Sequence, residues 1–576
     1  MQTVRAPFLV REDIACLIEK RIEALERGYR QNMALVGLLG SGKTRLLSAI
    51  FQSLCAKTRF IPVYVNGDGI DFEHLADRWI GALLTGLFLS QGITTLPQFH
   101  SLLLAADPIV PRTTEKIRAF KKMMRREKSA VLIKELFSLS EVLSQETGKK
   151  MVLMLDEFDR LEKLLPVEPF SALGKEIMVQ KNTLYLVASS SPVRAQEIFR
   201  EKLSMLFGNF EVIRLGPLGF TETIQFLEAH LPERRLTQAQ QQFLIRLTNG
   251  FPNYLELIAD RIHTRVVSDA MNELSLRPPE NDQIPDVFIL EALHQELIHE
   301  KGRIVHWFEK RLDRCRNLAK ENAAFLRVLV AISRGRHRIA AIASDVDRKI
   351  LEVKKILARL VEHDFISRQG SLYVIEDPLF RFWLREVYEK RNQLYTPDED
   401  FLDQEGMLAL QRDFQKAERE AHLNVGVRIE SLLKEFRNDA LEIEQKKIQC
   451  PQFSEIILRT PEVRGFTLTA KNSKVRWHCA VAPQRVREEE AQVFLDEIKK
   501  YRKKPQGKIL MMLRGIEQNA KLILQEAGVQ LWDLRLLNTL LDLYELPKIV
   551  LLLEKDPHDG SGQDLGAVAQ GVSSAG

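Results

Sequence analysis

Eight residues near the start of the chain, Gly37-Leu38-Leu39-Gly40-Ser41-Gly42-Lys43-Thr44, have the spacing G-x-x-x-x-G-K-T. Glycines at these positions let successive backbone N–H groups curl around an anion. The loop opens onto a helix-compatible run, Arg45-Leu46-Leu47-Ser48-Ala49-Ile50, whose N-terminal dipole favours phosphate. Gly37, Gly40, Ser41 and Gly42 would form the cradle, Lys43 would reach the β- and γ-phosphates, and Thr44 would offer an oxygen to Mg²⁺. About 110 residues later, Val152-Leu153-Met154-Leu155-Asp156-Glu157 is an apolar run ending in two acids. Asp156 is expected to bind Mg²⁺ through water, and Glu157 to polarise the water that attacks the γ-phosphate. A third catalytic candidate is Ser189. It begins Ser189-Ser190-Ser191 at the end of the apolar run 184–188, where a hydroxyl facing the γ-phosphate would sit, although Ser-rich turns are common without that role. These residues imply ATP and Mg²⁺ as cofactors and hydrolysis of the nucleotide as the reaction.

Such a site needs a sheet to hold its two halves. Short apolar runs at Met33-Ala34-Leu35-Val36, Phe60-Ile61-Pro62-Val63-Tyr64-Val65, 151–155, 184–188 and Val212-Ile213-Arg214-Leu215 read as strands buried on both faces of a parallel α/β sheet. A helical insertion, about 70–148, separates the second from the third. From 219 to 270 the pattern is helical only, and a Pro-rich break at 276–282 precedes more helices and a compact unit at 320–390. The expected organisation is an ATPase core (1–218), a helical lid (219–275), a helical and winged-helix domain (285–395) and a C-terminal α/β domain (405–550), with a charged boundary near 396–400. The Gly- and Ser-rich tail 556–576 is expected to be disordered. There is no internal repeat.

Composition narrows the classes. Over 576 residues, 83 Lys+Arg against 78 Asp+Glu leave a net charge of only +5, which excludes a strongly cationic DNA-coating protein and confines any nucleic-acid contact to local patches. With 45% hydrophobic residues the chain has ample material for cores, so it is neither wholly disordered nor fibrous. Five scattered cysteines, without C-x-x-C spacing, give neither a zinc cage nor a disulfide framework and suit a reducing cytosol. No apolar run reaches membrane-spanning length and the N-terminus lacks a signal-peptide pattern, so the expected location is cytoplasmic.

Residues 8–270 resemble the STAND-type ATPases, especially the prokaryotic group related to origin-recognition ATPases and often called archaeal-type ATPases. The resemblance rests on Phe8-Leu9-Val10-Arg11-Glu12, the two phosphate-site elements, the Ser-ending strand, and Gly250-Phe251-Pro252 before a helix. The triplet is similar to the family's G-x-P lid motif, whose proline approaches the nucleotide. The resemblance thus implies Arg11 and Pro252 as further cofactor-binding residues and an AAA+-related fold. Glu376-Asp377-Pro378-Leu379-Phe380-Arg381-Phe382-Trp383-Leu384 is similar to the family's "dP.frFW" segment. The chain also departs from the pattern. Origin-recognition ATPases would carry an Arg near Asn253, and Asn209-Phe210 stands where many AAA+ proteins have an Arg-Phe finger. Arg194, Arg200 and Arg214 are nearby substitutes. These departures suit a slow switch better than fast ring-type turnover.

Residues 321–390 read as helix, short helix, helix and hairpin, a winged helix. Ile350, Leu351, Val353, Ile356, Leu357, Leu360 and Val361 form the apolar face of its third helix, and Arg348, Lys349, Lys354, Lys355 and Arg359 its basic flank, with Arg368 on the wing. This unit would enter double-stranded DNA or serve as a protein-packing module. A second basic stretch, 112–128, holds eight Lys/Arg against two Glu. It could track a nucleic-acid backbone, or be a solvated face or a protein contact. The C-terminal order of helices and strands resembles the restriction-endonuclease-like fold. Its nuclease acids are missing: Val475-Arg476-Trp477-His478-Cys479-Ala480-Val481 stands where E-x-K should be, Thr467-Leu468-Thr469 where the other acid should be, and Glu430 is the one acid in a plausible place. A degenerate, nuclease-inactive domain used for binding or dimerisation is expected. The leading expectation is therefore a slowly hydrolysing ATP switch that controls binding of DNA or a partner protein. Self-association is also open, and the alternative is a non-enzymatic, nucleotide-bound scaffold.

Overall fold

The computed structural model describes residues 11–69, 71–93, 99–125, 130–164, 168–203, 209–232, 234–273, 283–318, 324–393, 399–421, 423–443, 446–459 and 466–549. Phe8 to Val10, the Pro-rich break, Arg126 to Lys128, Thr396 to Asp398 and the tail 556–576 lie outside them. Five strands, β1 (Asn32–Val36), β2 (Phe60–Asn66), β3 (Lys150–Asp156), β4 (Thr183–Ser189) and β5 (Phe210–Arg214), form one sheet in the order β2-β3-β4-β1-β5. Every pairing is parallel. β1 and β4 are buried at every position, as uninterrupted apolar runs covered on both faces must be. One face packs under the helices of the insertion, Phe72–Leu89, Phe99–Ala106, Pro111–Met124 and Ala130–Thr147. The other packs on helices Glu12–Glu26 and Lys43–Cys55. Because β4 lies between β1 and β3, the strand that ends in serines separates the phosphate loop from the two acids.

The chain divides into two compact units, residues 1–422 with 438–450, and residues 423–437 with 451–576. In the first, helices Phe220–His230, Gln238–Thr248 and Pro252–Glu273 share one continuous apolar core with helices Asp286–Leu297, Arg303–Leu318, Ala324–Ser333 and Ile350–Glu362. The helix Glu399–Ala421 completes that core with Leu410 and Phe414, and Arg246 pairs with its Asp413 and Glu420 at 3.0 and 2.7 Å. Residues 405–421, assigned from the sequence to the C-terminal domain, therefore belong with the first unit.

Three helices, Ala324–Ser333, Ile339–Asp345 and Ile350–Glu362, are followed by a hairpin of β6 (Ser367–Gln369) and β7 (Leu372–Val374). A second hairpin, β8 (Asp439–Ile443) and β9 (Lys446–Cys450), joins it. Arg338 holds Asp439 bidentately at 2.8 and 2.7 Å, and Ser371 N–H donates to the Ala440 carbonyl at 2.8 Å. Gly370, at φ +66°, is required here, since a Cβ would stand 2.0 Å from that carbonyl oxygen. The expected apolar face of helix Ile350–Glu362 needs correction at its first turn: Val353, Ile356, Leu357 and Leu360 are buried, but Ile350 and Leu351 are 54% and 68% exposed. Their turn projects beyond the packed stripe at i, i+3, i+4 and i+7.

The second unit is a sheet in the order β10-β11-β12-β13-β14 (Glu455–Arg459, Phe466–Lys471, Arg476–Ala482, Gly507–Met512 and Gln530–Asp533). The first three strands pair antiparallel and the last three parallel. Helix Val425–Glu435 packs on β10 and β11, and helices Glu488–Lys499 and Gln518–Glu526 pack together against the sheet.

Candidate functional site

The phosphate loop leaves β1 at Gly37 and enters helix Lys43–Cys55 through Gly42, whose φ of +89° few other residues adopt. Gly37 has no room for a side chain, because a Cβ would lie 2.2 Å from the Leu215 carbonyl oxygen. Lys43 is buried, and its ammonium donates to the carbonyls of Gly37 and Leu38 at 2.8 and 3.0 Å and to Ser41 Oγ at 3.4 Å. Burial lowers its pKa to about 8, against the pull of Glu157 and Asp156. Thr44 Oγ1 donates to Asp156 Oδ2 at 2.7 Å, and Tyr64 OH donates to the same oxygen at 3.0 Å. Register brings Tyr64 there: Asn66 lies beside Asp156 in the β2–β3 pairing, which puts Tyr64 two residues back on the same face. Arg11 donates to the carbonyls of Ser41 and Gly216, at the flank of the loop, and burial lowers its pKa.

Glu157 stands just past β3 with φ +51°, in the left-handed region where a non-glycine residue is strained. The turn is held by Gly67 N–H donating to the Asp156 carbonyl at 2.7 Å, and a Cβ on Gly67 would meet the Glu157 carbonyl oxygen at 2.6 Å. Its carboxylate accepts from Ser190 Oγ and pairs with Arg160 at 3.2 Å, which also pairs with Asp68 at 2.7 Å. Burial raises the Glu157 pKa, with Ser190 and Arg160 opposing, a balance suited to a group that takes a proton from water. The structure thus brings together the loop, Lys43, Thr44, Asp156 and Glu157. Ser189 is buried at the end of β4, but its hydroxyl serves the turn, accepting from Ser191 N–H at 3.0 Å and donating to the Ser191 carbonyl at 3.2 Å. Its neighbour Ser190, not singled out in the sequence, is the serine that touches Glu157.

Gly250-Phe251-Pro252 lies beside the phosphate loop. A Cβ on Gly42 would lie 3.6 Å from Pro252 Cγ, and one on Gly40 would lie 3.6 Å from Trp307 Cζ3 and 3.7 Å from Asn253 Cβ. Gly250, at φ +74°, packs its backbone on Leu218, where a Cβ would be 2.5 Å from the carbonyl oxygen. Near the helix Pro252–Glu273, Asp377 of the "dP.frFW" segment accepts from Tyr254 OH at 2.6 Å and pairs with Arg311 at 3.1 Å. Phe380 and Trp383 of the segment pack on Phe308. Asp364, at the hairpin, accepts from Ser191 Oγ and from Val193 N–H at 3.4 Å, next to the serine that holds Glu157.

Oxygen donors from Thr44 and Asp156 suit a hard cation. Among the described residues no group of three or more His, Cys, Asp or Glu could hold a metal ion. Elsewhere the basic stretch is partly neutralised: Lys116, Arg118 and Lys121 pair with Glu135, Asp107 and Asp77 at 3.4, 2.8 and 3.2 Å. Arg194 is committed to Glu162 and Glu197. In the second unit Thr469 lies opposite His478 in the β11–β12 register, and Glu430 pairs with Lys434 at 2.6 Å. His478 Nδ1 meets Tyr501 OH at 3.1 Å, Tyr501 OH meets Thr469 Oγ1 at 3.1 Å, and His478 Nε2 lies 3.4 Å from Glu497. No described helix is long and apolar enough to cross a membrane.

The fold is that of a P-loop ATPase. No protein-family model matches the sequence, and no curated protein matches it. Among solved structures the chain is similar to the Walker-type ATPase PABY2304 of Pyrococcus abyssi, at 15% identity over 65% of this chain and 95% of that one, with a TM-score of 0.43. It is also similar to the ORC2 protein of Aeropyrum pernix in ADPNP–ADP complexes, at 13% identity over 72% and 98%, with a TM-score of 0.42. The ORC1 protein of Aeropyrum pernix in complex with DNA matches at 13% identity over 68% and 95%, with a TM-score of 0.34. At these identities and TM-scores the likeness carries no argument: the fold rests on the parallel sheet with the phosphate loop between its first strand and a helix, and the site on its own geometry.

Proposed function

We propose that the chain is an ATP-binding, slowly hydrolysing molecular switch that couples nucleotide state to binding of DNA or a partner protein. In this reading Gly37, Gly40, Ser41, Gly42 and Lys43 hold the phosphates, with Arg11 and Pro252 at the flanks of the loop. Thr44 and Asp156 hold Mg²⁺, which would neutralise charge on the phosphates. Glu157 takes the proton of the attacking water, and Ser190 and Arg160 keep its carboxylate aimed. Residues 1–218 serve as the ATPase core, 219–275 as the lid and 285–395 as a winged-helix output.

One observation carries the coupling: Asp364, two residues past helix Ile350–Glu362, accepts hydrogen bonds from Ser191 and Val193, beside the serine bound to Glu157. A change at the γ-phosphate that moves Ser190 therefore bears on the base of the helix that would meet DNA. That helix offers exposed Lys349, Lys354 and Lys355, with Arg348 pairing Glu352 at 3.5 Å. ATP turnover measured with and without double-stranded DNA across a salt series tests the reading. Stimulation that fades with salt is expected. Binding of ATP without any turnover would replace the switch with a nucleotide-bound scaffold. The second unit is read as a restriction-endonuclease-like domain that binds or dimerises without cutting, since Thr467, Thr469, Arg476 and His478 stand where its acids and lysine belong.

A further inference from the structure

Asp156 is 1% exposed, and among the described residues it pairs with no Lys, Arg or His. The ammonium of Lys43 is spent on the carbonyls of Gly37 and Leu38. Only neutral donors reach the carboxylate. Thr44 Oγ1 and Tyr64 OH both donate to Oδ2, at 2.7 and 3.0 Å, and Glu157 N–H donates to Oδ1 at 3.0 Å. Such bonds fix a buried carboxylate without neutralising it, so it is left for a cation that arrives with the nucleotide. Thr44 and the Glu157 peptide belong to the two phosphate-site elements themselves. Tyr64 does not: it comes from β2, at the edge of the sheet, and no motif demands it.

Tyr64 is also the residue of β2 that is free to do this. Asn66 lies directly beside Asp156 in the β2–β3 register, but its Oδ1 accepts from Asp68 N–H at 2.7 Å and so serves the turn that follows. The Tyr64 ring meets Phe51 edge-on, with 6.4 Å between centroids and 66° between planes. Phe51 stands on the helix Lys43–Cys55, whose first turn carries Thr44, so the phenol is braced against the same helix that supplies the other donor to Oδ2. Beyond the ring opens a cavity of about 310 Å³ whose lining includes Phe51, Tyr64, Arg78 and Thr85. The phenol is therefore not wedged into a closed core, and its hydroxyl is placed by the bond to Asp156.

We propose that Tyr64 is a positioning residue for the divalent cation of the nucleotide: it locks Asp156 in the orientation that accepts from a hydrated Mg²⁺ and denies Ca²⁺ a bidentate carboxylate. The proposal rests on the nucleotide site read above. A carboxylate offers about four acceptor positions on its two oxygens. In Asp156 three are filled and neither oxygen is free. What remains suits one water of a hydration shell. Mg²⁺ dehydrates reluctantly and keeps several waters, whereas Ca²⁺ takes carboxylates directly and often by both oxygens. Loss of the Tyr64 hydroxyl leaves Oδ2 with Thr44 alone and lets the carboxylate turn.

The test uses full-length wild type, Tyr64→Phe, Asp156→Asn, the double variant and Lys43→Ala. ATP affinity is measured in EDTA, in Mg²⁺ and in Ca²⁺, and thermal midpoints are taken without metal. Removing a group that orients a metal-binding side chain costs roughly 10- to 100-fold, so the gain in ATP affinity on adding Mg²⁺ should shrink by about tenfold in Tyr64→Phe. The gain from Ca²⁺ should shrink by no more than about threefold, because the freed oxygen suits that ion. Affinity in EDTA and the metal-free midpoint should stay close to wild type. In the Asp156→Asn background Tyr64→Phe should have no further effect on the Mg²⁺ gain, since the hydroxyl acts through that carboxylate. An unchanged Mg²⁺ gain, equal losses for the two cations, or a full effect in the Asp156→Asn background overturns the inference and leaves the nucleotide site standing. So does a Tyr64→Phe chain that fails to fold or melts far below wild type, which would make the hydroxyl a tie between strands. Wild type whose ATP affinity ignores Mg²⁺, or Lys43→Ala that binds ATP like wild type, would remove the site and the inference together.

Discussion

Replacing Glu157 by Gln isolates the chemistry from the fold, because the surroundings of the carboxylate tolerate the amide. Ser190 Oγ donates to Glu157 Oε1, and an amide oxygen in the same place accepts that hydrogen bond. Arg160 loses one arm of its pairing, at 3.2 Å, but keeps Asp68 at 2.7 Å. The neutral amide also escapes the desolvation that raises the Glu157 pKa. These opposing changes at a partly exposed ion pair should leave stability within about 1 kcal/mol of wild type. Lys43, Thr44 and the glycines of the loop are untouched, so ATP affinity should stay within about threefold, or roughly 0.6 kcal/mol. Turnover is different: a positioned general base contributes typically 10²–10⁴-fold, and at 1.36 kcal/mol per decade the variant loses about 3–5 kcal/mol of transition-state stabilisation. Single-turnover hydrolysis with excess enzyme, alongside equilibrium binding of ATP and a thermal melt, reads all three quantities. Hydrolysis within tenfold of wild type would refute the assignment of the base. A parallel fall in ATP affinity and thermal midpoint would show that Glu157 supports the strand end instead.

Asp364 gives a pH signature. Burial raises its pKa from 3.8 to about 6, with Asp159 and Glu376 adding to the rise and Ser191 and Val193 opposing it. Between those values the folded chain keeps a proton that the unfolded chain has released, so this group's contribution to stability is present at low pH and fades as pH rises through about 6. Asp364→Asn should therefore gain stability relative to wild type between pH 4 and 7, on the order of 2 kcal/mol. Denaturation profiles of the two proteins that run parallel across this window would contradict the account. The second unit should leave plasmid DNA uncut in the presence of Mg²⁺; cleavage that Glu430→Ala abolishes would make it a nuclease.

The phosphate site was legible because its parts are local. Gly37 to Thr44 is one turn of chain between a strand and a helix, and the acids Asp156 and Glu157 directly end an apolar run. Continuous apolar runs also gave the first four strands of the first sheet, since a strand buried on both faces needs no partner to reveal itself; the fifth, expected at 212–215 as buried on both faces, is instead the edge strand Phe210–Arg214, where Val212 is 49% exposed. The triplet Gly250-Phe251-Pro252 was noticed only by its similarity to a family motif; in the structure Gly250 takes a positive φ and Pro252 starts a helix. Less was legible in the three-helix unit, where the apolar pattern covered Ile350 and Leu351 but the packing stops short of them.

By itself, then, the amino-acid order determined the phosphate-loop spacing, the acids that stand at the end of β3 and the runs that become the strands carrying them. Only the tertiary structure decided what surrounds those groups. Ser190 rather than Ser189 meets Glu157, Tyr64 meets Asp156, and a helix more than 250 residues beyond the loop brings Trp307 to Gly40. It also placed the helix Glu399–Ala421 and the hairpin β8–β9 in the first unit. The physical reason is the range of the interactions. Turn geometry and burial periodicity act over a few residues and are written in the local sequence. Strand register and helix packing, in contrast, are set by the joint fit of segments far apart in the chain, which no short stretch encodes alone.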